Sequence, residues 1–208
     1  MSSIINKNKR KKAKQQFGWT NSEVKMINKD SIVKGAKNTV VLSSYKDFII
    51  TGYYILYLHN GFGLKRIRRL ETALNEYLDK AREDKNMNGT AMAYLLKEKY
   101  NIDIKAEVNS IPSREILSIF GANSILKQNE VYALVSASLY NYLAMTCVIL
   151  KTLFKLPAVD VKKFVSDYKD IINTISRVKQ FDLRFSDIAE CLANEVKFVD
   201  ERYIKLND

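Results

Sequence analysis

The residues best suited to chemistry form one run, Gly61–Arg69, with the sequence GFGLKRIRR. Four cations occupy the first turn and a half of a predicted helix, where the helix dipole makes each unfavourable by about 0.3–1 kcal/mol. Departures from such local sequence preferences usually occur at functional sites. Free N–H groups of that turn, together with Lys65, Arg66, Arg68 and Arg69, would bind phosphate. Lys65, Arg68 and Arg69 share a helix face at i, i+3 and i+4.

The two glycines of this run, Gly61 and Gly63, would let a backbone phosphate approach closely. With Phe62 they resemble the glycine–hydrophobic–glycine turn of the helix-hairpin-helix motif, and Lys65 and Arg66 resemble the basic residues that follow it. The resemblance implies binding of the DNA backbone without sequence preference. Ile67 departs from it, because the motif has a small residue there for close helix crossing. The alternative is an ordinary corner between two helices with a solvated charged face.

A second basic feature is the N-terminus. Residues 1–37 carry ten Lys or Arg and two Asp or Glu, which is +8 of the chain's net charge of +11. Dense like charges repel one another, so we predict a largely disordered basic arm over residues 1–37 and a helical domain over residues 38–208. Phe17 and Trp19 would either stack on bases or attach the arm to the domain. The residues expected to follow phosphates are Lys9, Arg10, Lys11, Lys12 and Lys14.

The composition also allows an interpretation of the charge without any partner. Lys is far commoner than Arg, and Asn, Ile and Tyr are abundant, as an AT-rich genome would produce. Codon bias is therefore the alternative to a polyanionic partner.

Residues that could support catalysis are few. His59 is the only histidine, and its place before a turn is typical of a helix end. Cys147 and Cys191 fall in separate predicted helices, which indicates two buried free thiols in a reducing compartment. We find no zinc pattern, phosphate-binding lysine loop or nucleophile elbow. The sequence therefore predicts a non-enzymatic protein without a metal or cofactor.

The elements that would position these residues are helices. The chain has 47% hydrophobic residues but only 7 Gly and 2 Pro, which is few for an all-β fold. The spacing predicts an all-α domain of about seven helices, one beginning at Ser44 as its N-cap. The alternative for residues 101–108 is one short strand in an otherwise helical domain. The apolar run Val131–Leu150 is long enough to span a membrane. Polar residues interrupt it, so we expect a buried central helix instead.

The segment from Tyr57 to Ile104 resembles small uncharacterised proteins of Gram-positive phages and mobile elements. It shares with them a helix, an aromatic–glycine turn followed by basic residues, and a second helix leading to Tyr94-Leu95-Leu96-Lys97-Glu98-Lys99-Tyr100-Asn101-Ile102-Asp103. The resemblance implies a phage or mobile-element origin and no defined activity.

Together these features predict a cytoplasmic, non-catalytic accessory protein that binds DNA or RNA. The alternative is a protein-interaction module that inhibits a host enzyme or defence complex. Membrane association is the third hypothesis, and the sequence leaves the oligomeric state open.

Overall fold

The computed structural model describes residues 21–84, 88–120, 124–177 and 184–199. Within these ranges the protein is all-helical, as the sequence predicts, with eight helices and no strand. The helices are α1 (Asn21–Asn60), α2 (Leu64–Glu83), α3 (Gly89–Tyr100), α4 (Ile104–Asn109), α5 (Ser113–Phe120), α6 (Gln128–Thr152), α7 (Ala158–Arg177) and α8 (Phe185–Val196).

Helix α6 is the centre of the fold, and α1, α2, α3, α4, α5 and α7 all pack against it. Its second half, from Tyr142 to Leu150, is buried without interruption. Among the described helices, α6 alone is long and apolar enough to cross a membrane, and 67% of its apolar stretch is buried inside the protein. A helix that is apolar on all sides and covered by its neighbours is typical of a core. The predicted long central helix is confirmed.

Aromatic side chains join α1, α6 and α7 at the middle of this core. The ring centroid of Tyr142 lies 5.7 Å from that of Tyr45 and 5.9 Å from that of Tyr168. The Tyr168 hydroxyl donates a hydrogen bond of 3.0 Å to the carbonyl of Phe48. Such ring pairs stabilise a core beyond the area they bury, and they fix the long helix α1 against the centre.

The start of α1 differs from the prediction. The helix is 40 residues long, about 60 Å, and runs through Ser44. The Ser44 hydroxyl donates to the Val41 carbonyl at 3.0 Å, a bond that a serine inside a helix can form. Ser44 is therefore not an N-cap, and the segment assigned to the arm is helical from Asn21 to residue 37.

The predicted strand near residues 101–108 is also wrong, because α4 occupies this segment. The Asp103 carboxylate accepts a hydrogen bond of 3.0 Å from the Ala106 N–H and caps the helix. Ile104 and Val108 are buried, four positions apart on one helix face, whereas Ala106 is exposed. A weak alternation over eight residues contains the same i, i+4 pair and does not distinguish the two structures.

Candidate nucleic-acid interface

The turn between α1 and α2 positions the basic residues that the sequence singles out. Gly61 has a φ of +62°, a left-handed conformation that glycine adopts without strain. The next N–H, of Phe62, donates to the Leu56 carbonyl at 3.1 Å. The Phe62 side chain is fully buried. Gly61 and Phe62 therefore end α1 and attach the turn to the core.

The same terminal turn ends three other helices. In each, a residue with positive φ precedes one whose N–H reaches back six residues to a helix carbonyl. These pairs are Asn101 and Ile102 after α3, Lys155 and Leu156 after α6, and Lys197 and Phe198 after α8. Gly61 and Phe62, the first two residues of the hairpin-like turn, therefore form the same helix-ending turn that follows α3, α6 and α8.

Gly63 has no such structural reason to be glycine. Its φ of −75° and ψ of 178° are open to any residue, and an added Cβ would meet nothing within 4 Å. Its carbonyl accepts hydrogen bonds from the N–H groups of Arg66 and Ile67 at 3.0 and 3.1 Å. The absence of a side chain leaves the first turn of α2 open to solvent.

Two of the cations lie over a pair of aromatic rings. The Arg66 guanidinium is 5.1 Å from the centroid of the Phe62 ring, and that of Arg69 is 5.7 Å from the Phe154 ring. The centroids of the two rings are 4.9 Å apart. Both arginines are exposed, and among the described residues neither forms an ion pair. The faces of the rings attract the guanidiniums and hold them in place.

Arg68 and Lys65 differ from this pair. The Arg68 guanidinium forms an ion pair of 2.7 Å with Glu71 and lies 4.6 Å from the centroid of the Phe198 ring. Lys65 is exposed and has no ion pair within the described residues. The structure therefore groups Arg69 with Arg66 and directs Arg68 towards a different ring and an acid. Phe154 lies in the connection after α6, far along the chain from Gly61–Arg69. The sequence around that run therefore does not indicate the contact between Phe154 and Arg69.

The packing of α2 differs from the expected hairpin. Its main packing partner is α6, and it does not pack along α1. Ile67, at the position where the hairpin motif has a small residue, is fully buried in the core. A large side chain there suits burial against α6, since the close crossing that a small residue permits is not used.

Other predicted residues lie outside the described ranges or away from this turn. Lys9, Arg10, Lys11, Lys12, Lys14, Phe17 and Trp19 fall before residue 21, where the description begins. His59 lies in the last turn of α1, with its Nε2 3.6 Å from an Asp167 oxygen. Cys147 is buried and Cys191 is half-buried, and neither is in a disulfide.

A groove of about 470 Å³ lies between α1 and the end of α5. Its walls are mostly apolar or small side chains, including Val40 and Phe120, with Ile32 and Ile125 exposed at its edges. Asp47 is its only ionisable residue in the described part of the chain. The described residues of the groove therefore offer no acid–base pair.

Comparisons with protein-family models, with curated proteins and with solved structures give no match for this chain.

Proposed function

We propose that the protein is a non-catalytic nucleic-acid-binding protein that holds backbone phosphates at the start of α2. One observation supports this most directly: the exposed guanidiniums of Arg66 and Arg69 lie over adjoining aromatic rings without an acidic partner among the described residues. Cations at a helix N-terminus interact unfavourably with the helix dipole. A bound anion would offset this unfavourable interaction. Lys65, also exposed, adds a third charge on the same turn.

The geometry suits a phosphate better than a base edge. A guanidinium held over a ring keeps its N–H edges free, and these donate to phosphate oxygens in pairs. Because the rings restrict each arginine before the ligand arrives, less side-chain entropy is lost on binding. Phosphate contacts carry no base information, so we expect binding to DNA or RNA without sequence preference.

The test is replacement of the two arginines, Arg66→Gln and Arg69→Gln, in one variant. We expect affinity to fall for two unrelated duplexes and for one single strand. The slope of log affinity against log salt should fall by about 0.7–0.9 for each phosphate that the variant no longer neutralises. The matched control is Arg114→Gln with Lys162→Gln, which removes two exposed charges elsewhere and should keep the slope of the parent protein.

The stability of the arginine variant separates function from folding. Each cation–π contact contributes about 0.5–1 kcal/mol, and each unfavourable interaction with the dipole costs about 0.3–1 kcal/mol. Since these effects nearly cancel, the melting temperature should change little. Full binding retained on all three nucleic acids would contradict the proposal and favour the protein-partner alternative.

The N-terminal arm is tested separately by deleting residues 1–16. These residues carry six Lys or Arg, no acid and few apolar side chains, so the domain should still fold. Binding should weaken and the salt slope should decrease. An unchanged slope would exclude the arm from the interface.

A further inference from the structure

The terminal turn after α6 contains a lysine in an unfavourable conformation. Lys155 has a φ of +53°, in the left-handed region. Two of the four terminal turns place residues there that suit it, Gly61 and Asn101. The other two place lysines, Lys155 and Lys197, whose side chains make that conformation unfavourable. Each lysine therefore calls for a reason that outweighs the backbone cost.

Lys197 has such a reason in its own helix. Its ammonium donates a hydrogen bond of 2.9 Å to the Asn194 carbonyl in the last turn of α8. A cation that binds a free carbonyl there stabilises the helix end. Lys155 forms no corresponding bond: its side chain is exposed and has no hydrogen bond or ion pair in the part of the chain that the structure describes.

Lys155 is the chain neighbour of an aromatic residue that belongs to the arginine site. It directly follows Phe154, whose ring lies under Arg69 and 4.9 Å from the ring under Arg66. The turn that carries it is held in shape by Lys151, whose ammonium donates to the Leu156 carbonyl at 2.6 Å. Lys151 is therefore occupied in the structure of the turn, whereas the charge of Lys155 is available.

We propose that Lys155 is a further phosphate ligand that acts with Arg66 and Arg69, and that Arg68 is not one. This inference rests on the proposed function and deepens it, because it makes the binding surface a joint product of α2 and the α6–α7 turn. The ligand is a phosphodiester backbone that contacts both elements. Arg68 is excluded because Glu71 already neutralises it at 2.7 Å.

The experiment uses the full chain with Lys155→Asn, because Asn101 already holds this conformation in the same kind of turn. We expect a several-fold loss of affinity for a fluorescently labelled DNA duplex and for a single strand. The salt slope should decrease by about 0.7–0.9. The melting temperature should stay the same or rise, since asparagine tolerates the left-handed region. Lys155→Gly should behave in the same way.

The matched control is Lys197→Asn, which changes the same residue type in the same conformation at the end of α8. It and Arg68→Gln should leave affinity and slope as in the parent protein, and Lys155→Arg should retain binding. Unchanged affinity and slope in Lys155→Asn, while the Arg66 and Arg69 variant loses binding, would overturn this inference alone. An equal loss in Lys197→Asn would overturn it too, since bulk charge would then account for the effect. If the Arg66 and Arg69 variant also binds fully, the proposed function itself fails.

Discussion

The crossing of α1 and α6 depends on the absence of a side chain at Gly52. A Cβ added there would lie 2.0 Å from the hydroxyl oxygen of Tyr142 and 3.1 Å from the ring carbon that carries it. Tyr142 is fully buried among other aromatic rings, so it has little room to move. Gly52→Ala should therefore force the two helices apart or push the ring from its position.

The expected cost follows from two opposing effects. Overpacking a well-packed core costs about 1–3 kcal/mol, and an approach this short to a fully buried ring belongs at the upper end. Alanine in a helix is favoured over glycine by about 1 kcal/mol. The net destabilisation of Gly52→Ala is then about 2 kcal/mol, which for a chain of this size lowers the melting temperature by about 4–8 °C.

The assay is thermal and urea unfolding with a control in the same helix. Gly35 also lies in α1, and an added Cβ there meets nothing within 4 Å. Gly35→Ala should thus be neutral or stabilising by up to about 1 kcal/mol. Combining Gly52→Ala with Tyr142→Phe, which removes the clashing hydroxyl, should recover part of the stability. Equal stabilisation by Gly35→Ala and Gly52→Ala would refute the reasoning.

Three further predictions test the core, a helix cap and a thiol. Changing Leu139, which is 1% exposed on α6, to Ala should lower the free energy of unfolding by about 2–5 kcal/mol. A loss below about 1 kcal/mol in urea unfolding would argue against a tightly packed centre. Hydrogen bonds from the Lys97 ammonium and the Ala106 N–H hold the pKa of Asp103 below its ordinary value of 3.8. Its ionised form therefore stabilises the fold above that pH, and the benefit disappears as the pH falls through the lowered pKa. The stability difference between the parent protein and Asp103→Asn, measured in a pH series, should accordingly shrink in acid, and a difference that grows would contradict this. Burial raises the pKa of the Cys147 thiol, so a thiol reagent should label the half-buried Cys191 first. Mass spectrometry of the labelled native protein measures the order, and labelling of Cys147 before Cys191 would contradict this prediction.

The helical class and the long central helix could be predicted from the sequence because they depend on periodicity and composition. Apolar residues at helical spacing in α2 and α7, and the uncharged stretch from Val131 to Leu150, specify buried helix faces regardless of what covers them. The errors came where local signals are ambiguous. Ser44 looks like an N-cap but bonds back to Val41 within a continuous helix. The segment near residues 101–108 carries an i, i+4 pair that fits either structure.

For the candidate site, too, some features are local in the sequence and others depend on the tertiary structure. The cations of α2 are visible in the sequence, since four basic residues in one helical turn and a half are a local fact. The sequence does not show which of these cations lie together, because that depends on which aromatic ring each guanidinium contacts. Phe154 and Phe198 come from the ends of α6 and α8, far along the chain, and they separate Arg69 from Arg68. The conformation of Lys155 likewise depends on how α6 ends against its neighbours. Distant segments meet only when the core brings the helix ends together, so the tertiary structure alone decided which charges share a surface.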